Sequence, residues 1–573
     1  MRNPMSPRFW KHVFALWWLC VLACGGEPTR PTGPLVLTAV SGPQQARVGQ
    51  MLPAPLQIRV RTSALDPVPH VVVQWRADAG ALAGTVSSTD ANGVASMQWR
   101  LDTIAGEAHA FASVDSAVPV SFTGLALPGT PLALTITPAN VSAEPRSTVQ
   151  LSATGADRYG NAVLASQVIW SSDISIVASV SPSGLITGGR AGTAHARAMV
   201  DNIAAERLVT VPAHWRAIAA GQGHTCALDD LGYSFCWGTN DEAQLGVAGI
   251  DSSSVPVPVT TTLQFSVLAA GRDHTCGLTA GHQAYCWGRN GEGQLGSGSF
   301  QPAASQVPIL VTGGHQLISI AVNDGVHTCA LTATHTALCW GWEGEGQLGN
   351  GRSLTFTGQP SPQTVLGNLT FDTLATGGSH TCGVTTSSAA YCWGNDGLGQ
   401  VGDSNPQTPP YRPAPVAVVG GLQWSFVAGG GSHTCALTPD GTAYCWGGND
   451  VGQIGDGSIG GVVLSPTPVQ TALRFTDVAS AESTNCAVTT AGESYCWGDN
   501  TAGQVGDSTT SNRSVPTRTQ TAVLFAKATV GWRHACAITA SGDGYCWGAN
   551  DQGQLGTGTA MTHLVPSLIV APR

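Results

Sequence analysis

Fourteen of the sixteen cysteines in this 573-residue chain fall into one spacing, C-x9-C, which occurs seven times. The pairs are Cys226 and Cys236, Cys276 and Cys286, Cys329 and Cys339, Cys382 and Cys392, Cys435 and Cys445, Cys486 and Cys496, and Cys536 and Cys546. Two positions before the first cysteine of six pairs stands a histidine: His224, His274, His327, His380, His433 and His534. Thiols and imidazoles at such spacing can hold a metal, close as disulfides or stay as a buried reduced pair. On a strand, His-x-Cys puts both side chains on one face, so each copy could offer three ligands. Two features argue against metal. The sixth copy has Thr484 in place of histidine yet keeps both cysteines, and no fourth ligand recurs. An odd number of intervening residues suits a short hairpin with glycine at a left-handed position. The two cysteines then face each other at a Cα separation of about 4.5 Å, within disulfide reach. Disulfides are therefore expected, each worth about 2.5–3 kcal/mol by loop-closure entropy. The histidines are expected to bond the backbone of their own repeat.

The elements that position these residues repeat with them. Successive first cysteines lie 50 to 53 residues apart, and every copy ends its second cysteine in Cys-Trp-Gly. Each copy holds four strand-sized segments: in the second, these are Phe265 to Ala270, HTCGLT, AYCWG, and a Val/Pro segment like Val255 to Val259 of the first. Four short strands per repeat describe a propeller blade, and a closed ring leaves no long exposed edge. The seven tryptophans from Trp237 to Trp547 are expected to pack between blades. The phrase G-x-x-H-[ST]-x-A-L followed by W-G-x-N-x-x-G-Q-L-G closely resembles the repeats of the regulator of chromosome condensation family. That resemblance spans about 360 residues and implies a seven-bladed β-propeller over 214–573. The founding member's role as a nucleotide exchange factor for a small GTPase carries over poorly to an exported, acidic chain.

Upstream, Arg2, Arg8 and Lys11 precede an apolar run, Val13 to Ala23, too short to span a bilayer as a helix. Val21-Leu22-Ala23-Cys24 resembles the lipobox of bacterial lipoproteins, which implies cleavage after residue 23 and lipidation of Cys24; plain secretion is the alternative. Residues 24–34 read as a Gly/Pro-rich tether. Two immunoglobulin-like modules follow, at 35–127 and 131–211. In the first, Trp75, Thr89 to Ala95 with its Asn92-Gly93 turn, and Leu101 to Phe111 resemble bacterial immunoglobulin-like domains of the invasin type (group 1). In the second, Val168 to Asp173, Ile176 to Val180, and Ser183 to Gly188 resemble group 2 of these domains. The fold class is thus all-β, a seven-bladed propeller preceded by two β-sandwiches.

Composition agrees and narrows function. Charged residues are 10% and glycines number 72, which excludes coiled coils and suits turn-rich β structure. Loss of residues 1–23 removes three positive charges and takes the net charge from −10 to −13. An acidic chain without a Lys/Arg-rich stretch lacks the footprint of a nucleic-acid binder. No nucleophile elbow, zinc-protease, phosphate-loop or calcium-loop motif occurs, so no catalytic residue, cofactor or metal is assigned. What varies between copies is the pair before each histidine and the residue after Trp340-Gly341. Arg272, Asp273, Trp342, Glu482, Trp532 and Arg533 are therefore the candidate binding rim on one propeller face. These positions supply no evident converging acids for the rival reading, an enzyme acting on glycans at the propeller axis. The expected protein is a non-enzymatic, monomeric binding or adhesion protein, exported to the outer membrane or cell surface (alternatively periplasmic or secreted). The membrane is met only through the lipid, and the ligand is a protein or surface glycan.

Overall fold

The computed structural model describes residues 33–572 except 116, 354–356 and 406–409. The expected signal peptide, Cys24 and most of the tether lie outside the described residues. Among the described residues the chain is built of strands with one short 3-10 turn, Ala165–Gln167. No helix there is long and apolar enough to cross a membrane. The chain divides into two compact units, one reaching to Ala133 and taking in Thr154–Gln167, the other Leu134–Ala153 with the chain from Val168 on.

In the first unit, alternation of apolar and polar residues builds a sandwich. Strand Leu56–Thr62 buries Leu56, Ile58 and Val60 on one face. A three-stranded sheet, in the order Leu35–Ala39, Leu56–Thr62, Val94–Met97, faces a five-stranded sheet that includes Val72–Ala77, Gly106–Ser113 and Val120–Leu127. Trp75 and Phe122 meet in the core at a centroid distance of 5.8 Å, and Trp99 is fully buried beside them. The Asp90 carboxylate accepts the N–H groups of Asn92 and Val94 and sets the Asn92-Gly93 turn. The segment Thr154–Gln167 joins this unit for a clear reason. Asn161 donates to Thr103 O and accepts from Ala105 N, and Asp157 accepts from Gly129 N. Those bonds and others from the Asn161 amide hold the Asp157 carboxyl down at about 2 despite the cost of burying it.

In the second unit, Val141–Ser142, Ile203–Val211, Gly192–Val200 and Ile169–Ser172 form one sheet. Thr148–Gln150, Leu185–Gly188 and Ala178–Val180 form another. Seven four-stranded antiparallel sheets follow, each a meander whose strands are consecutive in sequence. The first blade is Trp215–Ala220, His224–Asp229, Ser234–Thr239 and Ser252–Pro258; the seventh ends with His563–Leu568. Every blade is complete in its own repeat, so no strand is exchanged across the ring's seam. The first strands of all seven blades line a central channel of about 280 Å³.

Candidate binding face of the propeller

The side chains that repeat hold the ring together. Within each blade the paired cysteines are direct partners on the second and third strands, bonded as disulfides with Cα atoms 4.0–4.1 Å apart. Both sulfurs of each pair are therefore engaged, and His-x-Cys is not a free ligand set. The hairpin between them takes its left-handed residue from Gly232, Gly441, Gly492 or Gly542 in four blades, but from His282, His335 and Ser388 in the others.

The histidines do not bond their own blade's backbone as expected; each reaches the next blade. His224 Nε2 lies 2.9 Å from Thr275 Oγ1, His274 from Thr328 at 2.9 Å, His327 from Thr381 at 2.8 Å and His380 from Thr434 at 2.9 Å. His433 meets Asn485 Oδ1, and His534 meets Thr225 at 2.8 Å, closing the ring. Each threonine hydroxyl donates its only proton to a glutamine carbonyl, as Thr275 does to Gln244 O and Thr225 to Gln554 O. The hydroxyl must then accept from the imidazole, so Nε2 carries the proton and the buried Nδ1 is bare and unpartnered. The rings are neutral. Burial pushes His224, His274, His327 and His380 down to about 3 and His534 to about 4. The same glutamine carbonyls accept the indole N–H of the next blade's tryptophan at 2.9–3.1 Å, from Gln244 with Trp287 round to Gln554 with Trp237. The tryptophans thus do pack between blades.

Close approach explains the glycine three residues before histidine. A Cβ on Gly221, Gly271, Gly377, Gly430 or Gly531 would fall 2.1–2.9 Å from the imidazole. The sixth blade breaks the pattern consistently. Thr484 replaces histidine and donates within its own blade to Asp499 O, Ala481 replaces the glycine, and the next blade offers Ala535 instead of threonine.

That freed turn carries Glu482, and here the candidate rim assembles. Gln222, Arg272, Asp324, Trp342, Glu482 and Trp532, with turn residues of the fourth and fifth blades, line an axial bowl of about 310 Å³. A second depression of about 440 Å³ shares Gln222, Arg272 and Trp532 and adds Asp273, Arg533, Asp241, Glu242 and Asp551. All six candidate rim residues therefore line these two depressions. Trp532 is 36% exposed, while Trp342 is half-buried against its own Gly344.

Sequence reasoning missed Asn323 and Asp324. The third blade has seven residues from Ala321 to His327 where the second has six from Ala269 to His274, and this extra residue was the available signal. The lengthened turn crosses the axis. Asn323 Nδ2 donates to Gly429 O at 2.7 Å and Ser480 O at 2.6 Å, on the fifth and sixth blades. Asp324 Oδ2 accepts the backbone N–H of Glu482 at 3.1 Å, and Gly431 N donates to Glu482 O. Glu482 is held at φ +40, in the left-handed region that non-glycine residues avoid. Burial first, then the neighbouring Glu482 charge, pushes Asp324 up to about 8, with Arg272 pulling the other way. Acids thus do converge at the axis, contrary to the sequence expectation. The Asp324 carboxyl is already engaged by the backbone N–H of Glu482.

The bowl faces away from the immunoglobulin-like segment of the same unit. In an antiparallel meander the turns after the first and third strands share one end of the blade, and the hairpin after the second lies at the other. The bowl is made of the former. The segment before the propeller packs at the hairpin end: His214 Nε2 meets Glu144 at 3.0 Å, Asp229 accepts from Ala191 N, and Arg190 lies over Tyr233 and Phe235.

Fold and seams define a closed seven-bladed β-propeller with one composite face, preceded in the sequence by immunoglobulin-like sandwiches. The chain belongs to the regulator of chromosome condensation (RCC1) repeat family. It matches that repeat over 215–244, 266–294, 371–400, 424–453, 475–504 and 525–554, and in a second description over 232–278, 282–331, 440–488, 491–538 and 541–573. Residues 133–211 match the bacterial Ig-like domain (group 2). The chain is 31% identical over 211 residues to the mitochondrial RCC1 domain-containing protein RUG3 of Arabidopsis thaliana, covering 35% of this chain and 46% of that one. It is 33% identical over 198 residues to the ultraviolet-B receptor UVR8 of the same plant, covering 33% and 43%. The chain thus spans less than half the length of these relatives. Among solved structures, human WBSCR16 superposes with a TM-score of 0.53 at 21% identity, covering 65% of this chain and all of that one. Prp20p from Saccharomyces cerevisiae gives 0.53 at 21%, covering 62% and 87%. These likenesses carry the fold.

Proposed function

We propose that this chain is an exported, lipid-anchored surface protein whose immunoglobulin-like modules carry the propeller as a binding head, and that the head engages a partner protein through its axial face. The observation that carries the reading is the convergence of all six variable rim residues on two depressions that share Arg272 and Trp532, at the blade end opposite the packed immunoglobulin-like segment. Repeated residues serve the seams, so the residues that differ between blades are free to recognise something else. Seven disulfides and a bacterial Ig-like domain support a location outside the reducing cytosol. Anchoring rests on Cys24, and mass spectrometry of the mature chain checks it: a lipid on Cys24 is expected, and an unmodified Cys24 refutes the anchor.

The binding role is tested by capture of envelope proteins on immobilised full-length chain. Trp532→Ala and Trp342→Ala are each expected to reduce capture at least about tenfold, the size of an interface hot spot. Leu568→Ala, on an outer strand, is expected to leave it unchanged. Equal capture by all three variants would remove the axial face from consideration.

A further inference from the structure

Three features of the axial face specify the chemistry of what it holds. The first is charge. Asp241, Glu242, Asp273, Glu482 and Asp551 line the two depressions against Arg272 and Arg533, while Asp324 beside them is held protonated at neutral pH. This is a local concentration of a wider bias, since residues 214–573 carry 23 acids and 11 bases while the chain before them is nearly balanced. The second is the pair of indoles. Trp342 and Trp532 both line the bowl, and an indole face attracts a cation through its quadrupole. The third is the effort spent on Glu482. The sixth blade lacks the histidine seam bond, and its backbone is held at positive φ with its N–H on Asp324 and its O on Gly431. That arrangement brings a carboxylate into the bowl beside Asp324, from a turn that carries no acid in the first, fourth, fifth and seventh blades. Arg272, the one cation in the bowl, sits beside Asp273, with Nε 3.7 Å from its carboxylate.

We propose that the bowl receives a cationic side chain, arginine or lysine, from a basic segment of the partner protein, which stacks on the tryptophans and pairs with Glu482. A volume of about 310 Å³ lies at the low end of ordinary ligand pockets, the scale of one long side chain. The proposal rests on the axial face being the binding face and adds the partner's charge.

The test titrates full-length chain with a short oligo-arginine peptide and, separately, an oligo-glutamate peptide of equal length, by calorimetry at low and high salt. Oligo-arginine is expected to bind and to weaken with salt, and oligo-glutamate not to bind. Glu482→Gln, nearly isosteric, and Trp532→Ala are each expected to weaken oligo-arginine at least about tenfold. Arg272→Ala, which removes the competing cation, is expected to tighten it; a merely structural role for these residues would not give opposite signs. Thermal unfolding of each variant separates lost binding from lost folding. Oligo-glutamate binding as tightly as oligo-arginine, or oligo-arginine indifferent to Glu482→Gln, overturns the proposal. If the tryptophan variants lose envelope capture while oligo-arginine fails to bind, the binding face stands and the cationic partner falls. If capture survives both tryptophan variants, the binding face itself falls.

Discussion

The histidine belt makes the propeller sensitive to acid, by an amount that follows from its tautomers. Each ring is neutral, fully buried and donating from Nε2, so the native state refuses a second proton until about pH 3 in four blades and about pH 4 in the seventh. In the unfolded chain the same rings titrate near 6.5. Between those values the unfolded state binds protons that the native state does not, so stability falls as pH falls below 6.5 and the loss is complete near 3. Each histidine contributes about 1.4 kcal/mol per pH unit across that window. Six act together. Five carboxyls act in the opposite sense, because burial raises Asp229, Asp273, Asp324, Asp396 and Asp477 and acid relieves them, and His214, raised by its bond to Glu144, acts with them. The fully buried histidines shift furthest, so the net slope keeps their sign and stability falls with acid between pH 6 and 5, against a total stability usually of about 5–15 kcal/mol. Urea unfolding of the disulfide-intact chain, followed by tryptophan fluorescence at about pH 7.5, 6.5 and 5.5, measures the slope directly. His274→Gln keeps a donor for Thr328 and removes one titrating ring, so it should flatten the slope by about 1.4 kcal/mol per pH unit. A stability indifferent to pH across this range, or a slope unchanged in His274→Gln, refutes the buried neutral belt.

Two further outcomes test the seams. Restoring the sixth seam with Ala481→Gly, Thr484→His and Ala535→Thr together should raise the urea midpoint by the equivalent of about 1 kcal/mol, one added hydrogen bond. Thr484→His alone should lower it, because the Ala481 Cβ occupies the space that glycine leaves for the ring in other blades. In the fourth blade, Arg412 replaces a neutral partner and sits 2.8 Å from Asp396 and 2.7 Å from Asp403, with all three buried or nearly so. Arg412→Ala should cost about 3–5 kcal/mol in thermal unfolding at neutral pH, and less at pH 5, where Asp396 is protonated.

Much of this architecture was legible because repeats report themselves seven times. The C-x9-C hairpins, the four strands per blade and the tryptophans between blades all follow from spacing that no single copy would make persuasive. The histidine partner was not legible, because a contact between repeats leaves the same one-repeat period as a contact within one. The covariation of Ala481, Thr484 and Ala535 carried that information, and it becomes readable only once the neighbouring blade's second strand is known to lie against the ring. Asn323 and Asp324 escaped for a different reason. Their partners, Gly429, Ser480 and Glu482, are 106 to 158 residues away and meet them only through closure of the ring.

The departures from the repeat share a physical logic. A residue that bonds the adjacent blade cannot change alone without leaving a buried group unpaired, at a cost of about 1–3 kcal/mol. Seam residues are therefore held to their pattern, and a change there appears as a coordinated set, as at Ala481, Thr484 and Ala535. Turn residues at the axis stand outside those seams and differ from blade to blade, as at Gln222, Arg272 and Trp532, while Asp324 and Glu482 bond each other across the axis. The sixth blade joins the two classes. Loss of its histidine frees the turn from the ring that in other blades rests on glycine, and the freed turn takes the backbone angle that points Glu482 toward Asp324. On this argument Thr484→His with Ala481→Gly would draw the turn back to the common geometry and weaken oligo-arginine binding without touching Glu482 itself.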